Sequence, residues 1–296
     1  MQKSISPLIT IAMPIYNAGS DIRLAVLSII NQTQLNWELL IIDDGSTDNA
    51  LSYISDIEDV RVRILRDGLN RGLAARLNEA IDLANGIYFA RMDQDDISYP
   101  ERLKRQTEVL KSDPQLDLVA VRALTIDENN EPNGIFPSYI LHEEICSEPW
   151  RGFYLPHPTW MGKIEWFRKH RYAEPGPFFC EDQELLTRSY RESKFFTINE
   201  ILFAYRIRAG VNRYKLLKTR RAVLGIQSKI FYSSRQYHFL LYASLVFLGR
   251  MIYDFLKVMP MMKCKIRNIS HNDDSVIEWR KIFFELMNTS EEFKDL

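Results

Sequence analysis

The sequence predicts an α/β fold, a mostly parallel sheet with helices on both faces, followed by a helical, basic extension. Three observations carry this. Short apolar runs alternate with helix-period segments through the first part of the chain, the pattern of a parallel sheet wound with crossover helices. Polar and acidic residues gather just after the apolar runs, where open sheets of this kind bind ligands, beyond the carboxyl ends of the strands. From about Val211 onward the chain becomes helical, aromatic and strongly basic.

The elements follow in order. Leu8 to Met13 (LITIAM) is a short apolar run rich in β-branched residues and reads as a buried strand. Asp21 to Ile30 carries an apolar face at helical spacing. Trp37 to Ile42 (WELLII) is a second strand, ending in the turn signal Asp43-Asp44-Gly45-Ser46, and Arg61 to Leu65 (RVRIL) is a third. Gly72 to Ala84 is an amphipathic helix, which Asn85-Gly86 is expected to close as a left-handed cap. Ile87 to Met92 (IYFARM) is a fourth strand. Pro100 to Lys111 reads as a helix with proline in its first turn, and Leu116 to Val121 is a fifth strand. Residues 124–180 are less regular. The expected division is one large α/β domain over 1–210, in halves of about 1–123 and about 124–210, and an extension over 211–296.

The 296 residues suffice for one large domain plus an appendage. Formal net charge is -1, so overall charge points to no partner. Cys146, Cys180 and Cys264 are scattered and lack metal or redox spacing, which fits a reducing compartment. Met1 to Pro7 lacks the apolar stretch of a signal peptide, so a cytoplasmic position is expected.

The chemistry lies in carboxylates. In Arg91-Met92-Asp93-Gln94-Asp95-Asp96, an extended backbone would point Asp93 and Asp95 to one side. Two carboxylates sharing a space repel unless a cation lies between them or one is protonated. Oxygen ligands suit Mg²⁺ or Mn²⁺, and magnesium is held by one or two carboxylates plus substrate phosphates. Alone, a D-x-D triplet reads first as a solvated acidic turn, because such triplets are common. In Asp43-Asp44-Gly45-Ser46-Thr47-Asp48, an aspartate past a strand can accept from a nucleobase or ribose, whereas Ser46 or Asp48 can simply cap a helix. Glu181-Asp182 could supply a general base for an acceptor hydroxyl, or just the acidic first turn of a helix. Arg91 could reach a phosphate or pair with an aspartate.

Taken together, Met13-Pro14-Ile15-Tyr16-Asn17, Asp43 to Asp48, Gly72-Leu73-Ala74 with Leu77-Asn78, Ala90 to Asp96 with Pro100-Glu101-Arg102-Leu103, then His157-Pro158-Thr159, Glu181-Asp182 and Tyr205-Arg206 resemble the family 2 glycosyltransferases. The motifs stand in the family's order and cover residues 5 to about 210, which implies that 1–210 is the catalytic domain, with a nucleotide-binding half at about 1–123 and an acceptor half at about 124–210. The resemblance implies a GT-A fold, Rossmann-like, with a nucleotide-diphosphate-sugar donor (a UDP-sugar by default), a divalent metal, Mg²⁺ or Mn²⁺, and inversion at the anomeric carbon. It implies that Pro14, Tyr16 and Asn17 line the nucleotide pocket, Asp44 contacts the base and Asp93 lies near the ribose. Asp95 becomes the principal metal ligand and Asp182 the catalytic base. Arg91, His157, Glu181 and Arg206 become candidates for phosphate or acceptor contacts. One departure stands out: after Tyr205-Arg206 the family often continues with His-Gly-Gly-like residues, whereas this chain has Ile207-Arg208-Ala209-Gly210-Val211. The tryptophan common after the acidic pair is also absent from Glu184-Leu185-Leu186.

His142, His170, His238 and His271 stand without ligand partners and read as structural or surface residues; Tyr16 and Trp37 lie in or beside strands and read as core before base-stacking platforms. Between Ile201 and Ser270, fourteen basic side chains face one acid, Asp254. The run Phe239 to Gly249 is shorter than the roughly 20 residues that span a bilayer. Arg250, Asp254 and Lys257 form a narrow polar stripe on this helix, which suits the plane of an anionic membrane interface. Packing on the catalytic domain is the alternative; nucleic-acid binding lacks any supporting motif. Peripheral contact on the cytoplasmic face would suit a glycan or lipid-linked acceptor in cell-surface polysaccharide or glycolipid synthesis. The competing functions are a sugar-phosphate nucleotidyltransferase, disfavoured because Pro14 to Gly19 contains no basic residue for a triphosphate, and an inactive nucleotide-sugar binder.

Overall fold

Strands β1 (Ile9–Ile15) and β2 (Trp37–Asp43) are buried along their whole length, as apolar runs covered on both faces must be. The computed structural model describes residues 7–177, 179–208, 213–256 and 273–292. Helix α1 (Asp21–Ile30) links these two strands as a crossover, and β2 pairs in parallel with β3 (Val62–Arg66). Helix α2 (Leu73–Leu83) returns the chain to β4 (Tyr88–Arg91), which lies parallel to β1 on its other side. Pro14 is tolerated in β1 because the register with β4 ends at Ala12↔Arg91, so no β4 ladder bond is lost there.

The sheet continues beyond β4 with mixed polarity. After β5 (Ile97–Ser98) and α3 (Arg102–Ser112) come β6 (Leu118–Ile126) and β7 (Pro132–Ile135). The short helix α4 (His142–Ile145), strand β8 (Met161–Lys163), helix α5 (Ile164–Lys169), helix α6 (Glu181–Ser189) and β9 (Phe195–Arg206) complete the sheet and its cover. The strand order is β3-β2-β1-β4-β8-β6-β9-β5, with β7 on β6. β8 runs antiparallel to both β4 and β6, and β9 runs parallel to β6. One sheet thus runs through both expected halves, and β6 crosses the 123/124 division. Two apolar cores cover its faces, one under α1 and α3 and one under α2, α5 and α6.

Two local expectations are corrected. Gly86 does not close α2 in a left-handed conformation; Ala84, the residue after the helix, is extended. Gly86 is required by proximity instead, since a Cβ there would lie 2.5 Å from the Thr10 amide nitrogen. Pro100 lies ahead of α3 rather than in its first turn, with Glu101 at the N-cap.

The C-terminal region divides in two. Helix α9 (Asp274–Glu292) packs on α1: Trp279 stacks on Tyr99 and donates to the Asn130 carbonyl at 3.1 Å, and Arg23 donates to Ser290 at 2.9 Å. Helices α7 (Arg213–Ser233) and α8 (Tyr237–Leu256) form a hairpin, with α7 against α6. Arg250 and Asp254 of the expected stripe are engaged by neighbouring parts of the chain. Arg250 donates to the Arg151 carbonyl at 2.8 Å, and Asp254 accepts from Arg220 at 2.6 Å. The outer face of α8 is apolar: Tyr237, Leu241, Leu245, Leu248 and Ile252 are each more than half exposed. Lys257, Lys263, Cys264, Lys265, Arg267, His271 and the 210/211 boundary lie outside the described residues.

Candidate active site

The loops after β1, β2 and β4 are tied into one rim at the carboxyl ends of the parallel strands. Asn17 has the left-handed φ of 49° that Asn tolerates better than most residues. Its side-chain carbonyl accepts from Thr47 N at 2.8 Å, and its own amide donates to Ser46 Oγ at 3.0 Å. Tyr16 N donates to Gln94 Oε1 at 2.7 Å, which joins the β1 loop to the acidic turn after β4. Tyr16 is 48% exposed, so it is not core; its ring is presented on this rim. Trp37 is buried as expected, beneath the Arg61 guanidinium. Asp48 accepts from Gly19 N and Ala50 N, and so braces two loops.

Asp44 is buried and already engaged. Its carboxylate accepts from Arg71 N at 2.7 Å, Gly72 N at 3.0 Å and Arg76 Nε at 2.9 Å. Gly72 has φ 87°, a conformation that favours glycine, and starts α2. Any contact of Asp44 with a nucleobase would share this carboxylate with the 71–72 backbone that it fixes.

Asp93 and Asp95 do converge, although not on an extended chain: residues 94 and 95 form a turn. Burial, then the Asp93 charge, raises the Asp95 carboxyl above the usual range. Asp96 is fully buried and raised further, by burial and by both neighbours. Its Oδ1 accepts from Arg206 N at 2.8 Å, while its Oδ2 has no hydrogen-bond partner among the described residues. Such an excess of converging, incompletely neutralised carboxylate charge is what a divalent cation relieves. No group of three or more His, Cys, Asp or Glu side chains among the described residues could hold a metal by itself. The fit is therefore to an ion shared between Asp95 and ligand phosphates, the habit of magnesium.

Arg91 resolves toward pairing: it is fully buried and its Nη1 donates to Asp93 Oδ1. Glu181 and Asp182 open α6 beside this pair. Burial, then the Asp182 charge, pushes Glu181 up to about 7. Asp182 is also raised by burial, opposed by its hydrogen bond from Gln183 Nε2 at 3.1 Å and by the Arg91 charge. His157 is held neutral by burial and by Arg91; its Nε2 lies 2.7 Å from the Tyr172 hydroxyl, and its Nδ1 lies 3.8 Å from Glu181. A neutral imidazole can orient Glu181 but offers no charge to a diphosphate.

Arg206 is placed behind the site, not in it. Its guanidinium donates at 2.8 Å each to the carbonyls of Asp95 and Asp127 and to Asn130 Oδ1. The arginine at the site is Arg208, whose Nη2 lies 3.0 Å from Asp95 Oδ2. Sequence reasoning passed over it, although it stands at the departure from the family pattern. It also missed Arg102, which is fully buried and donates to the Arg91 and Pro158 carbonyls at 2.8 and 3.0 Å. Arg102 thereby ties the His157-Pro158 turn to the end of β4.

A cavity of ≈ 520 Å³ adjoins the cluster. Arg71, Gly72 and Leu73 line one wall, Pro175 and Phe179 the other, and Glu181 is also part of its lining. The 71–72 backbone that Asp44 fixes and Glu181 of α6 thus meet around one space.

Residues 10–171, just over half of the chain, match the sequence profile of Glycosyl transferase family 2. An uncharacterized glycosyltransferase of Haemophilus influenzae is 31% identical over 199 residues, covering 60% of this chain and 61% of that protein. The Escherichia coli enzyme WfgD, a UDP-Glc:alpha-D-GlcNAc-diphosphoundecaprenol beta-1,3-glucosyltransferase, is 36% identical over 103 residues, 35% of this chain and 41% of WfgD. The chain therefore spans less than two thirds of either relative's length. Among solved structures, Staphylococcus aureus TarS 1-349 in complex with UDP-GlcNAc matches with a TM-score of 0.59 at 16% identity, covering 74% of this chain and 66% of that one. The mannosyltransferase PcManGT of Pyrobaculum calidifontis, in complex with GDP-Man and Mn2+, matches with a TM-score of 0.57 at 14% identity over 96% and 86%. At such identities these two likenesses establish the fold alone.

Proposed function

The chain belongs to glycosyltransferase family 2, and from that premise we propose that it is an inverting, metal-assisted enzyme that moves a sugar from a nucleotide-diphosphate donor to an acceptor hydroxyl. The observation that carries the reading is the electrostatically linked group of Asp93, Asp95, Arg91, Glu181 and Asp182 at the end of β4 and the start of α6, with Glu181 lining the adjoining cavity. Pro14, Tyr16, Asn17 and Asp44 form or brace the nucleotide side, and Asp93 faces the ribose. A divalent ion, Mg²⁺ or Mn²⁺, held by Asp95 would supply charge neutralisation for the departing diphosphate. Asp182 takes the acceptor proton as the acceptor oxygen bonds to the anomeric carbon and the bond from that carbon to the diphosphate oxygen breaks. One displacement inverts configuration and needs no covalent enzyme intermediate. Membership of the family sets aside the nucleotidyltransferase alternative.

A thermal-shift screen of UDP-, dTDP- and GDP-sugars, with and without Mn²⁺, tests this reading. A cognate donor at a hundred times its Kd adds about 2.7 kcal/mol to the folded state. That corresponds to a rise in Tm of several degrees, expected only with the metal. No rise with any donor plus metal would sink the proposal.

The relative WfgD is named for a lipid-linked acceptor, and a membrane-proximal acceptor, in polysaccharide or glycolipid synthesis, is proposed here as well. Among the described residues no helix is long and apolar enough to cross a membrane. The exposed stripe of Leu241, Leu245 and Leu248 on α8, beside α7 with Arg213, Arg221 and Lys229 and the following turn with Arg235, instead suits the surface of an anionic bilayer. Replacing these three leucines by serine is expected to reduce co-sedimentation with phosphatidylserine vesicles more than tenfold, since each buried leucine contributes about 1.5–3 kcal/mol. Unchanged sedimentation, or a change only in oligomeric state, would assign the stripe to a protein contact.

A further inference from the structure

Two arginines follow one another at the end of β9 with opposite circumstances. Arg206 is buried, and each of its three guanidinium nitrogens donates to a fixed acceptor. Arg208 has a side chain 55% exposed, and its Nη2 alone bridges two carboxylates, Asp21 Oδ2 and Asp95 Oδ2, at 3.0 Å each. Asp21 is the first residue of α1 and is one-third exposed.

The bridge stands where the metal reading needs a cation. A magnesium-like ion would lie about 2.0–2.1 Å from its ligand oxygen. A guanidinium nitrogen on that same oxygen would then crowd an ion of like charge. Two positive charges sharing one carboxylate oppose each other, so an ion on Asp95 weakens its bridge to Arg208. Arg206 cannot move without stranding three bonds, whereas Arg208 can, because an exposed bridge is weak and its parts rehydrate readily.

We propose that Arg208 is a built-in counter-cation for Asp95 that a divalent ion displaces, and that the released guanidinium then binds the donor's diphosphate. The inference rests on the reading of Asp95 as the metal ligand. Without metal, the guanidinium quiets the repulsion between Asp95, Asp93 and Asp21. With metal and donor, the same charge serves a diphosphate, which suits the fork geometry of arginine. One residue thus opposes the lone ion and favours the ion that arrives with a nucleotide, which makes metal and donor binding mutually reinforcing.

The test titrates the full chain with Mn²⁺ by electron paramagnetic resonance, first alone and then with UDP or GDP present. Arg208→Gln is expected to bind Mn²⁺ alone about two- to fivefold more tightly than the parent, the scale of losing one exposed ion pair. The same variant is expected to bind UDP or GDP at saturating Mn²⁺ about tenfold more weakly, as fits the loss of a charge-assisted hydrogen bond. Arg208→Lys, which keeps the charge, should restore most of the first effect and less of the second. Mn²⁺ binding no tighter in Arg208→Gln than in the parent would overturn the competition. Tighter Mn²⁺ with unchanged nucleotide affinity would overturn the transfer to phosphate. If parent and variant both fail to bind Mn²⁺ with either nucleotide, while Asp95→Asn behaves like the parent, the metal reading itself falls and takes this inference with it.

Discussion

Asp182→Asn is expected to lower kcat by about 10²- to 10⁴-fold, the range supplied by a positioned general base, with the donor's Kd changed less than threefold. The asparagine keeps the size of the side chain and can keep the contact with Gln183, which itself holds the 153 backbone through Phe153 N at 2.9 Å. What it loses is the capacity to take a proton. Transfer rate, or donor hydrolysis where no acceptor is in hand, reads the first quantity; calorimetry with donor and Mn²⁺ reads the second. A variant within tenfold of the parent rate would remove Asp182 from the chemistry.

The neighbouring acid is the control. Glu181 is pushed up to about 7, chiefly by burial, so near neutrality it holds its proton far more readily than an ordinary carboxyl. Two adjacent acids of unequal proton affinity divide the roles: the one that ionises more readily is the better candidate to stand charged at neutral pH. Burial raises both carboxyls and the Arg91 charge favours the ionised form of each; what differs is that Gln183 donates to Asp182, while Glu181 faces the added repulsion of Asp182 and Asp93. Glu181→Gln, which mimics the protonated form, should therefore cost much less in kcat than Asp182→Asn. Equal losses would mean that the pair acts as a unit.

The sequence made the N-terminal sheet and the acidic stations legible because their signals are local. LITIAM and WELLII are uninterrupted apolar runs, and they became β1 and β2 with ends shifted by one or two residues. Strand β8 has three residues and exists only because β4 and β6 offer it open edges on both sides. No periodicity can announce so short a strand. β9 interrupts its apolar run with Asn199-Glu200 and shifts register against β6 around Arg122, so its twelve residues carry no clean alternation. Side-chain commitments were the least legible. Arg206 and Arg208 look equivalent in sequence, yet Asp95 O, Asp127 O and Asn130 fix the first behind the site and leave the second facing Asp95. The partners of Arg250 and Asp254 on α8, the 151 carbonyl and Arg220 of α7, are both far away in sequence, so no local pattern could name them.

Arg76→Met should destabilise the fold by about 3 kcal/mol, because breaking a buried ion pair leaves a charge without compensation. Arg76 is 1% exposed and spans Asp44, Asp67, Glu79 and the Leu69 carbonyl. Its partners do not suffer equally. Asp67 and Glu79 are each about one-third exposed and can turn to water. Asp44 is buried and would keep only the amides of Arg71 and Gly72. The damage therefore concentrates at the anchor of the 71–72 backbone, which also walls the cavity. Urea unfolding should show the loss, and donor affinity should fall with it. Lysine at 76 should recover little, since one ammonium cannot replace a fork that serves four acceptors. Adding Asp44→Asn to Arg76→Met should return part of the stability by removing the stranded charge, without restoring donor affinity. If the double variant is no more stable than Arg76→Met, the loss comes from packing of the arginine stem, and Asp44 is not what Arg76 neutralises.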